Sequence, residues 1–349
     1  MKIAFLIPSM LNRGPNVFTK NLVEGLINNG LDIKVYFLDD KRELEFNCDT
    51  HLINSVSDID FSKYDIVHST MFRPDVMLAL NKWKLKDTKI VCGIHNYIKE
   101  DMVYNYGGFK GSLISSVWLF SLKLFDGIVF SSNDMTQYYQ SKLLVNKYKV
   151  IPYGVPKENS VLGFINYEVE LKSLAEKYFI IGAVGLLIKR KGFKQIIYAL
   201  KELPNHALVL IGSGSELEDL KKLAINEGVS DRVLFLGFQQ NSKKYYQYFD
   251  CYCMASYSEG FGLAMLDALS LNIPLVCCNL PIYREYFKEE YIVSFELDDI
   301  PSLVSSFEDV KLHENKYKKG SEITFCNHFS LDAMAISHIN FYKVILSDE

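Results

Sequence analysis

Glu259 and Asp267 stand eight residues apart in Ser256-Tyr257-Ser258-Glu259-Gly260-Phe261-Gly262-Leu263-Ala264-Met265-Leu266-Asp267-Ala268. The segment follows an apolar run that reads as a strand, and it opens an apolar helix. Its glycines let backbone approach a ligand closely. A helix start leaves N–H groups unsatisfied, and with the helix dipole these suit a diphosphate. Eight helical residues rise ~12 Å, about the span from a sugar ring, past a diphosphate, to a ribose. Two carboxylates so placed can accept hydrogen bonds from hydroxyls at both ends of a nucleotide sugar. The plainer alternative is a Gly-rich helix start with two solvated acids.

Three further strand ends carry the same kind of signal. Ala183-Val184-Gly185-Leu186-Leu187-Ile188-Lys189-Arg190-Lys191-Gly192-Phe193 sets three consecutive cations beside backbone amides, an anion site or a solvated basic turn. Val209-Leu210-Ile211-Gly212-Ser213-Gly214 is a Gly-x-Gly loop, and Phe235-Leu236-Gly237-Phe238 could edge a flat base with its backbone. In the first half, Asn12-Arg13-Gly14-Pro15-Asn16 lies between a strand and a helix. His68 and His95 each end a strand, as ligand contacts or as packed polar residues.

These loops need a framework that gathers strand ends. Short apolar strands are predicted at Lys2–Pro8, Leu31–Leu38, Asp65–Ser69, Lys89–His95, Gly127–Ser131 and Lys149–Pro152. Helices are predicted at Val17–Asn29, Pro74–Trp83, Gly111–Phe125 and Asp134–Leu143. Gly154, Pro156, Asn159, Ser160 and Gly163 then form a linker. After a helix at Glu168–Lys177 the pattern restarts, with strands at Phe179–Val184, Ala207–Ile211, Val233–Leu236, Cys251–Ala255, Leu275–Cys278 and Ile292–Phe295. Such alternation implies right-handed βαβ units and parallel sheets. The reading is two α/β domains, 1–160 and 161–325, with a final helix from Ser330 to Ser347 that could lie on either. In open parallel sheets, ligands sit beyond the carboxyl ends of the strands, where the motifs fall.

Composition limits the partners. The 349 residues are 49% hydrophobic with a net charge of −4, which supports full cores and speaks against nucleic acid as a partner. Residues 1–150 carry 18 Lys+Arg against 16 Asp+Glu, and the remainder 20 against 26. The seven cysteines form no Cys-x-x-Cys pair, and the seven histidines lack metal-ligand spacing. No signal peptide or spanning helix is read, so a cytoplasmic protein is expected. The stretch from Gly108 to Phe125, aromatic and flanked by lysines, is either a helix covering the first sheet or a surface helix for the inner face of a membrane.

Taken in order, these segments resemble the retaining glycosyltransferases typified by bacterial glycogen synthases, sucrose synthases and lipopolysaccharide or mannosyl transferases, the family 4-like group with a Glu-x7-Glu motif. Asp126-Gly127-Ile128-Val129-Phe130-Ser131-Ser132 and Lys149-Val150-Ile151-Pro152-Tyr153-Gly154-Val155 add to the likeness, which runs from Ile3 to about Phe287. The resemblance implies a GT-B fold, two Rossmann-like domains facing across a cleft, the first binding acceptor and the second nucleotide sugar. It implies a helix over 326–349 that crosses back to the first domain.

By that resemblance, Glu259 touches the donor sugar, Asp267 holds the ribose, and the amides of Phe261, Gly262 and Leu263 line sugar and diphosphate. Lys191 neutralises the diphosphate, with Gly185 and Gly212 beside it, and Phe238 meets the base through its backbone. Gly14 borders the phosphates from the other domain, and His95 lies near the attacked bond. Two positions depart from the pattern: Asp267 stands where Glu is usual, and Leu186 where Arg is usual. Lys189 or Arg190, Arg190 foremost, is expected to supply the missing charge.

The implied reaction moves a hexose from a UDP- or GDP-sugar to a hydroxyl of a saccharide or lipid-linked saccharide with retained configuration. Neither cofactor nor metal is expected; Asp58-Ile59-Asp60 has a chelating spacing but sits in a polar loop. Alternatives from other classes are a nucleotide-sugar epimerase and a non-catalytic nucleotide-sugar-binding subunit.

Overall fold

The computed structural model describes residues 1–349 apart from 86, 141, 144–146, 158–164, 260 and 348–349. The chain forms two compact units, Met1–Val155 with Phe329–Glu349, and Pro156–His328.

The first unit holds strands β1 (Lys2–Met10), β2 (Asp32–Arg42), β3 (Asp49–Leu52), β4 (Ile66–Thr70), β5 (Lys89–Ile94), β6 (Gly127–Phe130) and β7 (Tyr148–Val150). Its helices are α1 (Gly14–Asn28), α2 (Phe72–Leu80), α3 (Ile98–Tyr106), α4 (Gly108–Leu122) and α5 (Asn133–Gln140). The strands pair in parallel in the order β3-β2-β1-β4-β5-β6-β7. Ile3 through Ile7 of β1 are buried, as a central parallel strand covered on both faces must be. The strand order reverses between β1 and β4, so the loops after these two strands border the crevice where doubly wound sheets take ligands.

The second unit holds α6 (Glu168–Ala175), β8 (Phe179–Val184), α7 (Phe193–Leu200), β9 (His206–Ile211), α8 (Leu217–Asn226), β10 (Val233–Gly237) and β11 (Cys251–Met254). It continues with α9 (Leu263–Ser270), β12 (Leu275–Cys278), α10 (Pro281–Arg284), β13 (Val293–Phe295), α11 (Ile300–Leu312) and α12 (Glu314–Thr324). Its parallel sheet runs β10-β9-β8-β11-β12-β13. The order reverses between β8 and β11, which places the basic loop and the Glu259 loop on either side of the switch point.

The final helix α13 (Leu331–Ser347) belongs to the first unit. His338 packs against Phe18 of α1, and Tyr342 hydrogen-bonds His68 of β4.

Several elements differ from the sequence expectations. Helix α1 begins at Gly14, not Val17, because Pro15 fits a first turn, where no N–H is needed. Residues 49–52 form an edge strand although Asp-Thr-His-Leu lacks an apolar run, since pairing to β2 supplies the backbone partners. Residues 98–106 form an unexpected helix, α3, packed on α4. Helix α2 ends at Leu80, and Trp83 lies in the 3-10 turn Lys82–Lys84 that follows. Asn159, Ser160 and Gly163 of the predicted linker, and Gly260, lie outside the described residues.

Candidate functional site

In the second unit the loops after β8 and β11 are fastened together. Lys189–Lys191 make one 3-10 turn that ends at Gly192, whose backbone is left-handed at φ +65°. A Cβ there would lie 2.0 Å from the Ala255 carbonyl oxygen, so only glycine permits the approach. The Tyr257 amide donates to the Arg190 carbonyl at 2.8 Å, and Gln195 Nε2 donates to the Ala255 carbonyl at 3.1 Å. Gln195 Oε1 in turn accepts from the Asp298 amide.

This bracing sets cations around Glu259. Lys191 Nζ is 2.5 Å from Glu259 Oε1, which also accepts from Ser256 Oγ at 2.6 Å. Arg190 Nη1 lies 3.7 Å from Glu259 Oε2 and donates to the Ser258 carbonyl. The Glu259 side chain is 6% exposed and that of Lys191 15%. A carboxylate so buried persists because both its oxygens face cations. The basic turn, expected to face a diphosphate, is thus engaged with the carboxylate of its own site. Among the described residues Lys189 takes part in no ion pair, and Leu186 is exposed.

Asp267 sits one turn into α9, so only the second half of its separation from Glu259 is helical. Its Oδ1 is 3.0 Å from Lys243 Nζ. Lys243 comes from the 3-10 segment Ser242–Tyr248 after β10, which Tyr246 fastens to α9 through a hydrogen bond to the Ala264 carbonyl. No local motif marked Lys243, since its meaning comes from a partner 24 residues away.

The glycines of neighbouring strand ends interlock. Gly212 has φ +148°, and a Cβ on it would meet the Gly185 carbonyl oxygen at 1.8 Å. Its amide donates to the Gly237 carbonyl at 2.9 Å. Phe238, next in line, is exposed. The Phe261 ring is buried against Tyr286, so its backbone is what it can offer a ligand. Gly262 caps α9 in a left-handed conformation, and Leu263 is the helix's first residue. Beneath Gly262 lies Tyr283, whose buried hydroxyl has no hydrogen-bond partner among the described residues.

In the first unit, Gly14 opens α1 after β1, with space where a side chain would stand. His95 follows β5. Its Nδ1 is 2.5 Å from the Tyr153 hydroxyl, its ring packs on Phe18, and its buried Nε2 has no hydrogen-bond partner among the described residues. Burial, with the nearby His338, lowers its pKa to about 3, so the imidazole is neutral at ordinary pH. His68 is shifted down for the same first reason. Tyr153, quoted only as part of the linker entry, is the residue that orients His95.

In chemical terms, the second unit presents a buried, cation-held carboxylate and a helix start beside it. The first unit presents a neutral imidazole with an unused ring nitrogen.

Comparison with known proteins agrees with this description. Residues 12–159 match the family described as Glycosyltransferase Family 4, and residues 168–323 the family described as Glycosyl transferases group 1. The O-antigen biosynthesis glycosyltransferase WclY of Escherichia coli is 30% identical over 356 residues, covering 98% of both chains. Among solved structures, sucrose-phosphate synthase from Thermosynechococcus elongatus superposes with a TM-score of 0.76 at 17% identity, over 100% of both chains. Anabaena Alr3699/HepE, crystallised with UDP, gives 0.77 at 15%, over 99% of this chain and 100% of its own. With two parallel α/β units and matches across both halves, the chain belongs to the family 4-like glycosyltransferases of GT-B fold.

Proposed function

We propose that this glycosyltransferase moves a hexose from a nucleoside diphosphate sugar to a hydroxyl of a saccharide or lipid-linked saccharide, with retention at the anomeric carbon, in bacterial surface glycan synthesis. The observation that carries the reading is the buried Glu259 carboxylate, held by Lys191, Arg190 and Ser256 at the sheet's switch point. The WclY name supports the glycan setting, and the UDP and UDP-glucose in the HepE structures support the donor class.

In the reaction, the bond from the anomeric carbon to the diphosphate oxygen breaks and one to the acceptor oxygen forms on the same face. The acceptor's proton passes to the leaving phosphate oxygen. Glu259 accepts hydrogen bonds from sugar hydroxyls. The ammonium of Lys191 is shared between Glu259 and the departing diphosphate, joined by the amides of Phe261, Gly262 and Leu263 at the start of α9. These supply the charge stabilisation that a metal provides elsewhere. Asp267 takes the ribose, the Phe238 backbone the base, and Gly185 and Gly212 keep side chains away from the phosphates. Gly14 and the neutral His95 serve from the first unit, which binds acceptor.

A thermal-shift panel of UDP, GDP, ADP and TDP with their sugars tests donor binding. Proton NMR of the first product reads the anomeric configuration. Stabilisation by none of the nucleotides, or an inverted product, contradicts the proposal. Complete loss of activity with EDTA, restored only by a divalent ion, contradicts the metal-independent mechanism.

A further inference from the structure

Helix α4 carries its apolar residues on two faces. The inner face is anchored: Trp118 Nε1 donates to the buried Asp75 of α2 at 2.8 Å, and Leu122 is fully buried. The outer face is not covered. Phe109, Leu113, Val117 and Phe120 recur every three or four residues, which aligns them along one side, and Phe109 is 89% and Phe120 69% exposed. Past the end of α4, Lys82 donates to the Leu124 carbonyl, which brings up Trp83, 74% exposed. Solvated surface helices do not spend their outer positions this way, and a contiguous apolar patch marks an interaction surface.

The charges select the partner. From Met102 to Phe125 the chain carries Lys110 and Lys123 and no acid; from Val76 to Leu85 it carries Lys82 and Lys84 and no acid. Lys110, Lys123 and Lys84 are exposed, while Lys82 pairs with Asp126 at 3.1 Å. A second copy of the same face would set lysines against lysines. An anionic bilayer surface matches both features: lysines meet headgroups, and aromatic rings settle at the headgroup level. The 15 residues of α4 span ~22 Å, and among the described residues no helix is long and apolar enough to cross a membrane, so the geometry is that of a helix lying in the interface plane.

We infer that the outer face of α4, with Trp83, docks the first unit on an anionic lipid bilayer. The inference does not rest on the donor chemistry proposed above.

The test is co-sedimentation of the full chain with vesicles of phosphatidylcholine alone and of equal parts phosphatidylcholine and phosphatidylglycerol. The wild type should sediment with the anionic vesicles, and less as salt is raised. Phe109→Ser with Phe120→Ser should weaken binding about tenfold or more, and Lys110→Gln or Lys123→Gln roughly fivefold each on anionic vesicles. These side chains are exposed, so melting temperature and nucleotide binding should be unchanged, which separates this inference from the proposed reaction. Absence of wild-type binding to the anionic vesicles, or equal binding by the variants, overturns it. So does a dimer in light scattering that the phenylalanine substitutions dissolve, which assigns the face to a second copy.

Discussion

Lys191 Nζ stands 2.5 Å from Glu259 Oε1, joining two loops 68 residues apart at the point where the sheet order reverses. Neither group is a free surface charge; each is the reason the other can be buried. Glu259→Gln keeps the size and the Ser256 hydrogen bond but removes the charge. Turnover is expected to fall at least ~100-fold, since contacts that strengthen in the transition state are lost. Steady-state kinetics of the purified variant, with circular dichroism to check folding, decide this. Near-normal kcat would remove Glu259 from the reaction.

The three cations of the basic turn should separate cleanly. Lys191→Ala removes the ammonium that both Glu259 and a departing diphosphate would use; a charge-assisted hydrogen bond of ~1.5–3 kcal/mol predicts a loss of kcat/KM of roughly 10–150-fold. Arg190→Ala should cost less but measurably, because Arg190 reaches Ser258 and faces Glu259. Lys189→Ala should be nearly silent. Equal effects in all three, or none, would mean the diphosphate is held elsewhere.

How much of this was legible in the sequence follows from where each signal resides. The β8 strand, Phe179–Val184, is legible to the residue because a buried parallel strand is a continuous apolar run, here bounded by Gly185. The loops after β8 and β11 announced themselves through glycines and helix starts. What sequence could not display was pairing between loops. The basic turn reads equally as a phosphate site or a solvated patch until the fold sets Lys191 on Glu259. Lys243 has no local mark at all. The β3 strand, Asp-Thr-His-Leu, is polar and largely exposed, so only its neighbour makes it a strand. Glu259 falls before the helix and Asp267 inside it, as the sequence implies, but the ~12 Å yardstick counts eight helical residues, and α9 starts only at Leu263, after the left-handed Gly262.

The histidines of the first unit predict an acid sensitivity. Burial first, then a hydrogen bond to the Met334 carbonyl acting in the opposite sense, leaves His338 at about 4, and His95 is at about 3. Their folded pKa values lie below the unfolded ~6.5, so the fold favours the neutral forms. That stability is fully present above pH ~6.5 and is lost as pH falls toward 4 and 3. Melting temperature should therefore drop between pH 7 and pH 4.5, and His338→Leu should flatten the dependence relative to its own value at pH 7. An unchanged slope in the variant would show that His338 is not part of the acid response.

Tyr283 offers a test with an unusual sign. Its hydroxyl is buried, against the backbone at Gly262, with no hydrogen-bond partner among the described residues. A desolvated, unpaired polar group costs ~1–3 kcal/mol, so Tyr283→Phe should leave the nucleotide-free protein as stable or more stable. A fall in melting temperature would show that the hydroxyl has a bonding partner in solution.

The pair of Asp267 and Lys243 carries the last prediction. Asp267 is one methylene shorter than the Glu usual in the resembling family, and Lys243 Nζ reaches its Oδ1 at 3.0 Å. Both side chains are largely covered, 18% and 25% exposed, so the ion pair fixes the direction of the carboxylate. If Asp267 holds a ribose, it does so far from the bond being broken, equally in ground and transition states. Removing such uniform binding raises KM and leaves kcat alone. Lys243→Met keeps the stem and removes the charge, which frees Asp267 to swing; donor KM should rise roughly threefold to tenfold, for a loss of about 1 kcal/mol. Asp267→Asn should raise it further, and the double variant should be no worse than Asp267→Asn alone, because Lys243 acts through its partner. A fall in kcat matching the fall in kcat/KM would place the pair at the reacting centre instead. Additive effects in the double variant would show that Lys243 meets the donor by itself.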